Sequence, residues 1–364
     1  MALSWIIAGG GTGGHVTPAL ALGEAIAERG DRSLFIGSEQ GLEARLVPDA
    51  GFELLALPSQ QVMGRSLKGR VAGVLGLLGQ VGRARAALKA QQADVVISVG
   101  GFAAMPAALA ALISRRPLVL VEPNAVPGRV HRLTGRFARL VFVGFARAGA
   151  HFGDRTRVRH VGIPLRQALC KAFANAGARQ SPKGPLRLLV FGGSQGAHQI
   201  NESMGTIAPG LAGQAIEIFH QTGQADLESV RRAYTQAGLE AQVVDFETDM
   251  PARYLWADLA VCRAGALTVA ELAMAGLPAL LIPYPFAADD HQTANAEALS
   301  QAGAARQLES RPLDPMELAR QIEALRSHPE DLLAMSEAAR KLARPGAARE
   351  IIEETASAVQ ERVT

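Results

Sequence analysis

The sequence predicts an α/β protein of two domains, each built on a parallel sheet. Two observations carry this. Short apolar runs alternate with helical stretches along all 364 residues, the pattern of parallel βαβ units. A glycine-rich turn follows such a run twice, at Ala8-Gly-Gly-Gly-Thr-Gly-Gly-His-Val-Thr-Pro-Ala19 and at Gly192-Gly-Ser-Gln-Gly-Ala197, so the second half repeats the first.

Taken in order, Trp5–Ala8 reads as a buried strand and Pro18–Arg29 as the helix after the first turn. Proline is tolerated in a first helical turn, where N–H groups lack intrahelical partners. Strands follow at Ser33–Gly37, Phe52–Leu57, Asp94–Val99, Pro117–Val121, Leu140–Val143 and Val158–Val161, with a helix start over Gly41–Val47. Val161-Gly-Ile-Pro-Leu-Arg166 closes this half, and a loose stretch runs from Asn175 to Pro185. The pattern restarts with a strand at Leu186–Phe191 and a helix at His198–Ile207, then strands at Ala215–His220, Gln242–Phe246, Leu259–Cys262 and Ala279–Pro283. The tail Gly346–Val363 carries Ala348, Ile351, Ile352, Ala356 and Val359 at helical spacing. One domain is therefore expected over residues 1–165, joined by a C-terminal helix at 345–364, and the other over 166–344.

Composition narrows the class. An apolar fraction of 48% with 20% charged residues belongs to a globular chain. Two cysteines, Cys170 and Cys262, exclude a disulfide framework or a cysteine-rich metal site and fit a reducing compartment. No secretory leader is expected, because no basic start precedes an uninterrupted apolar core. Val95–Ser114 carries no charge, but Gly100-Gly101 and Pro106 break it into strand, turn and helix, so it reads as buried core and not as a span. Residues 1–165 hold 19 basic against 10 acidic side chains, and 166–364 hold 18 against 24. A basic first half suits an anionic partner: nucleic acid, acidic lipid or a phosphorylated substrate. Aromatics at 5% leave no evident stacking platform for single strands.

The glycine turns point backbone N–H groups at a ligand, and the absent Cβ atoms let it approach. His15 stands where the first turn meets its helix. A dinucleotide enzyme expects an acidic residue after the second strand, and Glu39 is about the right distance away, but the glycine spacing matches G-x-G-x-x-G imperfectly. No P-loop signature is present. A nicotinamide oxidoreductase and a nucleotide-sugar-binding regulator remain alternative readings. In Cys262-Arg-Ala-Gly-Ala-Leu-Thr-Val-Ala-Glu271-Leu-Ala-Met-Ala-Gly276-Leu-Pro278, a helix starts near Ala266. N–H groups at Leu267 and Thr268 can take a diphosphate, and Glu271 can accept two ribose hydroxyls or simply balance the helix dipole. Asp289-Asp290 reads as solvated charge, because adjacent carboxylates point apart. His291 and Gln292 can reach a sugar hydroxyl.

Together Ala8–Ala19, Glu122–Gly128, Gly192–Ala197, Cys262–Pro278 and His291–Ala296 resemble the MurG family of bacterial N-acetylglucosaminyltransferases, in order and over essentially the whole chain. The resemblance implies a GT-B fold, two Rossmann-like domains facing a central cleft. It implies inverting transfer from UDP-N-acetylglucosamine to the muramoyl 4-hydroxyl of lipid I, giving lipid II in peptidoglycan synthesis. It also implies a peripheral place on the cytoplasmic face of the bacterial membrane, candidate partners among cell-wall synthesis and division proteins, and no nucleic acid. Gly11, Thr12, Gly13 and His15 match the first glycine loop, near the acceptor and the transferred sugar, and Asn124 matches an asparagine near that sugar. Arg166 and Ser194 match diphosphate-side residues. Ala266, Leu267, Thr268, Val269, Ala270 and Glu271 match the segment that holds phosphates and ribose. Gln292 matches a glutamine on the sugar hydroxyls, and Phe246 and Glu247 fall where backbone meets the uracil. Ile163, Phe102 and Pro123 depart from the family's Asn, Tyr and Gln. His15 is the candidate general base, since histidine titrates near neutrality, or else a positioning group. No DxD-like pair is placed to need a metal, so no obligatory metal or cofactor is expected.

One further stretch reads as an interfacial segment. Leu67, Val71, Val74, Leu75 and Leu78 recur at helical spacing, flanked by Arg65, Lys68, Arg70, Arg83, Arg85 and Lys89 with no acidic residue among them. Five glycines, each costing about 1 kcal/mol against alanine, should weaken that helix in water. The stripe is expected to meet an anionic membrane surface. The alternative is a stripe packed on its own domain.

Overall fold

A computed structural model describes residues 2–58, 67–153, 157–174 and 177–361, and for 67–74 the backbone only. The chain divides into two compact units, Met1–Gln167 with Arg344–Thr364, and Ala168–Ala343. This boundary lies two residues beyond the one expected from sequence, so Arg166 stays with the first unit, as does Gln167, the first residue of a helix that otherwise belongs to the second.

The first unit is a seven-stranded parallel sheet. Its strands are β1 (Ser4–Gly9), β2 (Arg32–Ser38), β3 (Leu54–Leu57), β4 (Val95–Gly100), β5 (Leu118–Glu122), β6 (Leu140–Val143) and β7 (Val158–His160), in spatial order β3-β2-β1-β4-β5-β6-β7. Side chains alternate across it. Trp5 and Ile7 face one buried cluster, Ile6 and Ala8 the other. Burial on both faces is why these strands read as continuous apolar runs. Helices α1 (Gly13–Glu28), α2 (Glu43–Asp49), α3 (Leu67–Ala90), α4 (Met105–Ile113) and α5 (Arg129–Thr134) connect the strands.

The second unit is a six-stranded parallel sheet of β8 (Leu186–Phe191), β9 (Ile216–Gln221), β10 (Ala241–Val244), β11 (Leu259–Cys262), β12 (Ala279–Leu281) and β13 (Ala305–Gln307), in order β10-β9-β8-β11-β12-β13. Its helices are α6 (Gln167–Ala174), α7 (His198–Leu211), α8 (Leu227–Ala237), α9 (Met250–Trp256), α10 (Ala266–Ala275), α11 (His291–Gln301), α12 (Pro315–Ser327) and α13 (Pro329–Leu342). The chain then returns to the first unit as α14 (Ala347–Gln360), which packs on α1 and puts Ile351, Ile352, Ala356 and Val359 into its core. In each sheet the strand order reverses beside the first strand, between β1 and β4 and between β8 and β11. Ligands of such sheets bind at the carboxyl ends of the strands at that reversal.

Two expectations change. Helix α1 begins at Gly13, five residues before the expected start, so His15 sits in its first turn, its N–H and that of Val16 both on the Thr12 carbonyl. Pro18 lies inside the helix, where it withholds one backbone bond but does not end the run. Strand β13 had no apolar run to announce it, being three residues at a sheet edge.

Helix α3 forms, and Leu77, Val81, Ala84 and Leu88 pack on the domain, which leaves Leu75 and Leu78 of the expected outward stripe off the core. Leu75 and Leu78 are 63% and 60% exposed, and Arg83, Arg85 and Lys89 are exposed too. Arg65 and the side chains of Leu67, Lys68, Arg70, Val71 and Val74 lie outside the described residues. Among the described residues no helix is long and apolar enough to cross a membrane.

Candidate functional sites in the two units

In the second unit, the turn after β8 and the start of α10 after β11 line one cavity of about 450 Å³. Gly192, Gly193 and Gly196 of the turn, His198 and Gln199 of α7, Arg263, Gly265 and Thr268 form its walls, with Tyr284–Phe286 and Gln292. The turn is tight for a physical reason. Gly193 and Gly196 hold φ of +84° and +74°, and a Cβ at Gly196 would overlap the Thr222 carbonyl. Gln221 braces it by donating to the Gly193 carbonyl at 2.9 Å.

Two basic side chains face this cavity. Arg263 donates to Gln199 Oε1, the Ile282 carbonyl and the Pro283 carbonyl at 3.0–3.1 Å, which fixes it beside the α10 start, and Tyr284 packs against its guanidinium. Burial lowers its pKa from the usual arginine value. His198 lies between Asp226 (2.9 Å) and Glu202 (3.1 Å), and the Asp226 hydrogen bond raises its proton affinity. Together with the first N–H groups of α10, Arg263 makes this a place that could hold an anion.

Of the residues singled out from sequence, Thr268 and Gln292 line the cavity, and Ser194 stands exposed in the same turn. Gln292 Oε1 accepts the Tyr284 N–H at 2.9 Å, tying the cavity's far wall. Ala266, Leu267, Val269 and Ala270 belong to the first turns of α10. Glu271 stands one turn beyond Thr268, half-buried, and accepts the Tyr254 hydroxyl at 2.7 Å; burial pushes its carboxyl up to about 7 despite that bond. Phe246 is exposed and its N–H donates to Asp245 Oδ1 at 2.8 Å, and Glu247 is held by Arg253 at 2.6 Å. Asp290 is paired with Arg311 and takes the Thr293 hydroxyl, both at 2.8 Å. Among the described residues no group of three or more His, Cys, Asp or Glu side chains is placed to hold a metal ion.

Arg166 is placed elsewhere. It belongs to the first unit, where its guanidinium pairs with Glu24 of α1. It is not among the residues that line the second-unit cavity.

The first unit gathers its chemistry at the ends of β1, β4 and β5. His15 Nδ1 lies 3.1 Å from Thr12 Oγ1. Gly100 (φ +99°) lets two imidazoles meet: a Cβ there would press on His15 and His131 at 3.1–3.3 Å. Glu122, fully buried, accepts the Asn124 N–H at 2.9 Å, the Gly128 N–H at 3.0 Å and His131 Nδ1 at 2.8 Å. Burial disfavours its charge, but the His131 hydrogen bond and the two N–H groups outweigh that and hold the carboxyl below its usual range. His131 Nε2 meets Ser98 Oγ at 3.1 Å. This buried pair orders the loop that carries the half-buried Asn124. Neither His131 nor Arg263 was singled out from sequence. Arg263 sat inside a quoted motif, while His131 becomes visible only through contacts across 9 and 33 residues.

Comparison with known proteins agrees with this geometry. The Glycosyltransferase family 28 N-terminal domain matches residues 5–143, and its C-terminal domain matches 187–351. A UDP-N-acetylglucosamine–N-acetylmuramyl-(pentapeptide) pyrophosphoryl-undecaprenol N-acetylglucosamine transferase of Acidithiobacillus ferrooxidans is 43% identical, over 96% of each chain. One of an Anaeromyxobacter species is 41% identical over 98% of this chain and 94% of that one. The crystal structure of Acinetobacter baumannii MurG superposes with a TM-score of 0.80 at 30% identity, covering 96% of this chain and 98% of that one.

Proposed function

The chain belongs to glycosyltransferase family 28 and to its MurG members, and on that premise we propose how its two units share the transfer of N-acetylglucosamine from UDP-N-acetylglucosamine to lipid I, the step that makes lipid II for peptidoglycan. It is a glycosyltransferase of the GT-B class.

The observation that carries the division of labour is the second-unit cavity, where a glycine turn, a helix N-terminus and Arg263 converge on one anion-sized space. The diphosphate of the donor lies there. As the bond from the sugar's anomeric carbon to phosphate oxygen breaks, its electron pair leaves with UDP. The growing charge falls on the α10 N–H groups at Leu267 and Thr268, on Arg263 and on Ser194, donors already in place before reaction. Glu271 takes the ribose hydroxyls, and backbone at Phe246 and Glu247 meets the uracil.

The first unit handles the acceptor. The muramoyl 4-hydroxyl oxygen bonds to the anomeric carbon from the opposite face, inverting it, and its proton passes to His15. For that, His15 Nδ1–H donates to Thr12 Oγ1, so that Nε2 is the accepting nitrogen. Asn124 orients the sugar. No metal enters the scheme, so turnover in excess EDTA should equal turnover without it.

The polyprenyl acceptor stays in a bilayer, and the exposed face of α3 meets it. Leu75 and Leu78 supply apolar contact, and Arg83, Arg85 and Lys89 attract acidic headgroups, each worth roughly 1 kcal/mol near such a surface. Ile113 at the end of α4, which packs on α3, Leu133 of α5 and Phe137 in the turn that follows α5 are also more than half exposed. The function is tested by incubating the protein with UDP-N-acetylglucosamine and a lipid I analogue. UDP release that depends on both supports the reading. Hydride transfer, or binding without UDP release, would replace it with one of the alternatives.

A further inference from the structure

We propose that Glu43 is a positioning residue for the transfer, the buried anchor that sets the first glycine turn and, through it, His15. The proposal rests on the reading of His15 given above.

Glu43 opens α2, a place where an acidic residue ordinarily faces water and the helix dipole. Here it is 1% exposed and turned inward. Its Oε2 accepts the Gly11 N–H at 2.9 Å, and its Oε1 accepts the Ser38 N–H at 2.8 Å. One carboxylate therefore ties the turn after β1 to the end of β2. Three glycines make room for it: a Cβ at Gly10, Gly37 or Gly41 would overlap the Glu43 side chain. A glycine pattern that looks built for a ligand is, in part, built around this carboxylate.

The tie reaches His15 in two short steps. Gly11, whose N–H is held, sits at φ +88° and is followed by Thr12, whose Oγ1 meets His15 Nδ1 at 3.1 Å and whose carbonyl accepts the His15 N–H. On the other side, the Gly10 carbonyl packs so closely on Gly101 that a Cβ there could not fit, and the His15 ring rests on Gly100–Gly101. A shift of the Gly10–Gly11 peptide would move both the hydroxyl that meets His15 Nδ1 and the surface that backs its ring. The chemistry requires a carboxylate. Two backbone donors need two acceptor oxygens, and an amide offers one acceptor and one clashing NH₂ group.

The test uses the full chain with Glu43→Gln and Gly41→Ala; the second keeps the charge but crowds it out of place. UDP affinity and turnover with the lipid I analogue are measured for each variant, alone and combined with His15→Ala. The expected result is at least a tenfold loss of turnover, UDP affinity within twofold of the parent, and no more than a further twofold loss once His15 is alanine. Full turnover in a folded Glu43→Gln chain overturns the proposal, as does the same fold-loss with and without His15, because residues acting through one another are non-additive. If Glu43→Gln does not fold, Gly41→Ala decides by the same criteria. If neither folds, Glu43 serves the core and the proposal is wrong. A parent that releases no UDP, or a His15→Ala variant at full rate, sinks the functional reading instead.

Discussion

The two glycine turns look alike in sequence and are held in different ways. The turn after β1 is braced by a side chain from another element, Glu43, and closes on a histidine. The turn after β8 is braced mainly by backbone, with Gly196 against the Thr222 carbonyl and Gly223 against the Gln195 carbonyl, and it opens onto a cavity with Arg263 across from it. In the first, the turn's N–H at Gly11 is spent on the protein's own carboxylate. In the second, the Gly196 N–H closes the turn on the Gly193 carbonyl, and the turn and the α10 start line an open cavity. On the proposal made above, the same local pattern positions a proton-handling group in one unit and receives an anion in the other. What separates them is the long-range partner, not the glycines.

If this division holds, removing the first turn's histidine should have the largest effect and leave donor binding alone. His15→Ala is expected to lower turnover roughly 100- to 10,000-fold and to erase the acidic limb of the pH–rate profile. A rise in acceptor KM with the limb intact would make His15 a positioning group.

Next comes the donor side. Glu271→Ala should cost about 1.5–3 kcal/mol of UDP affinity, roughly ten- to a hundredfold, in a chain that stays folded. The same carboxyl gives the comparison a pH signature. Burial pushes it up to about 7, so below that pH the free protein holds a proton that must leave before the carboxylate can accept two ribose hydroxyls. UDP affinity should therefore fall up to about tenfold per pH unit below 7, and Glu271→Gln should flatten the profile. The sign for folding is opposite. A carboxyl whose pKa is raised on folding contributes stability at low pH that is lost as pH climbs from the ordinary value of 4.5 through about 7. A pH-independent UDP affinity in the parent would remove Glu271 from the ribose.

The smallest expected effect is on the α3 face. Leu75→Glu with Leu78→Glu should weaken co-sedimentation with anionic vesicles several-fold while activity on a short-chain soluble acceptor is kept. Equal sedimentation with that activity intact would rule this face out as the docking surface.

Much of the architecture was legible because parallel strands buried on both faces announce themselves. β6, β8 and β11 lie at the residues read from the apolar runs. What failed was local. Pro18 suggested a helix start five residues late, and the three-residue β13 offered no pattern. On α3, Leu75 and Leu78 of the expected outward stripe are exposed, while the inward positions Leu77 and Val81 were not marked by the sequence, because a helix rich in glycine and leucine gives little contrast between its faces. At the sites, Thr268 and Gln292 came forward from motifs. Glu43, Glu122 with His131, and the bracing of Arg263 depend on contacts between distant segments, which no spacing reveals.

The claim that the two turns do separate work is tested most directly by titrating UDP into His15→Ala and Arg263→Ala side by side. His15→Ala should bind UDP as the parent does, and Arg263→Ala should bind it at least tenfold more weakly because a charged partner of the diphosphate is gone. A folded Arg263→Ala chain with parental affinity, or a His15→Ala chain that loses it, would contradict the assignment of donor and acceptor chemistry to separate units.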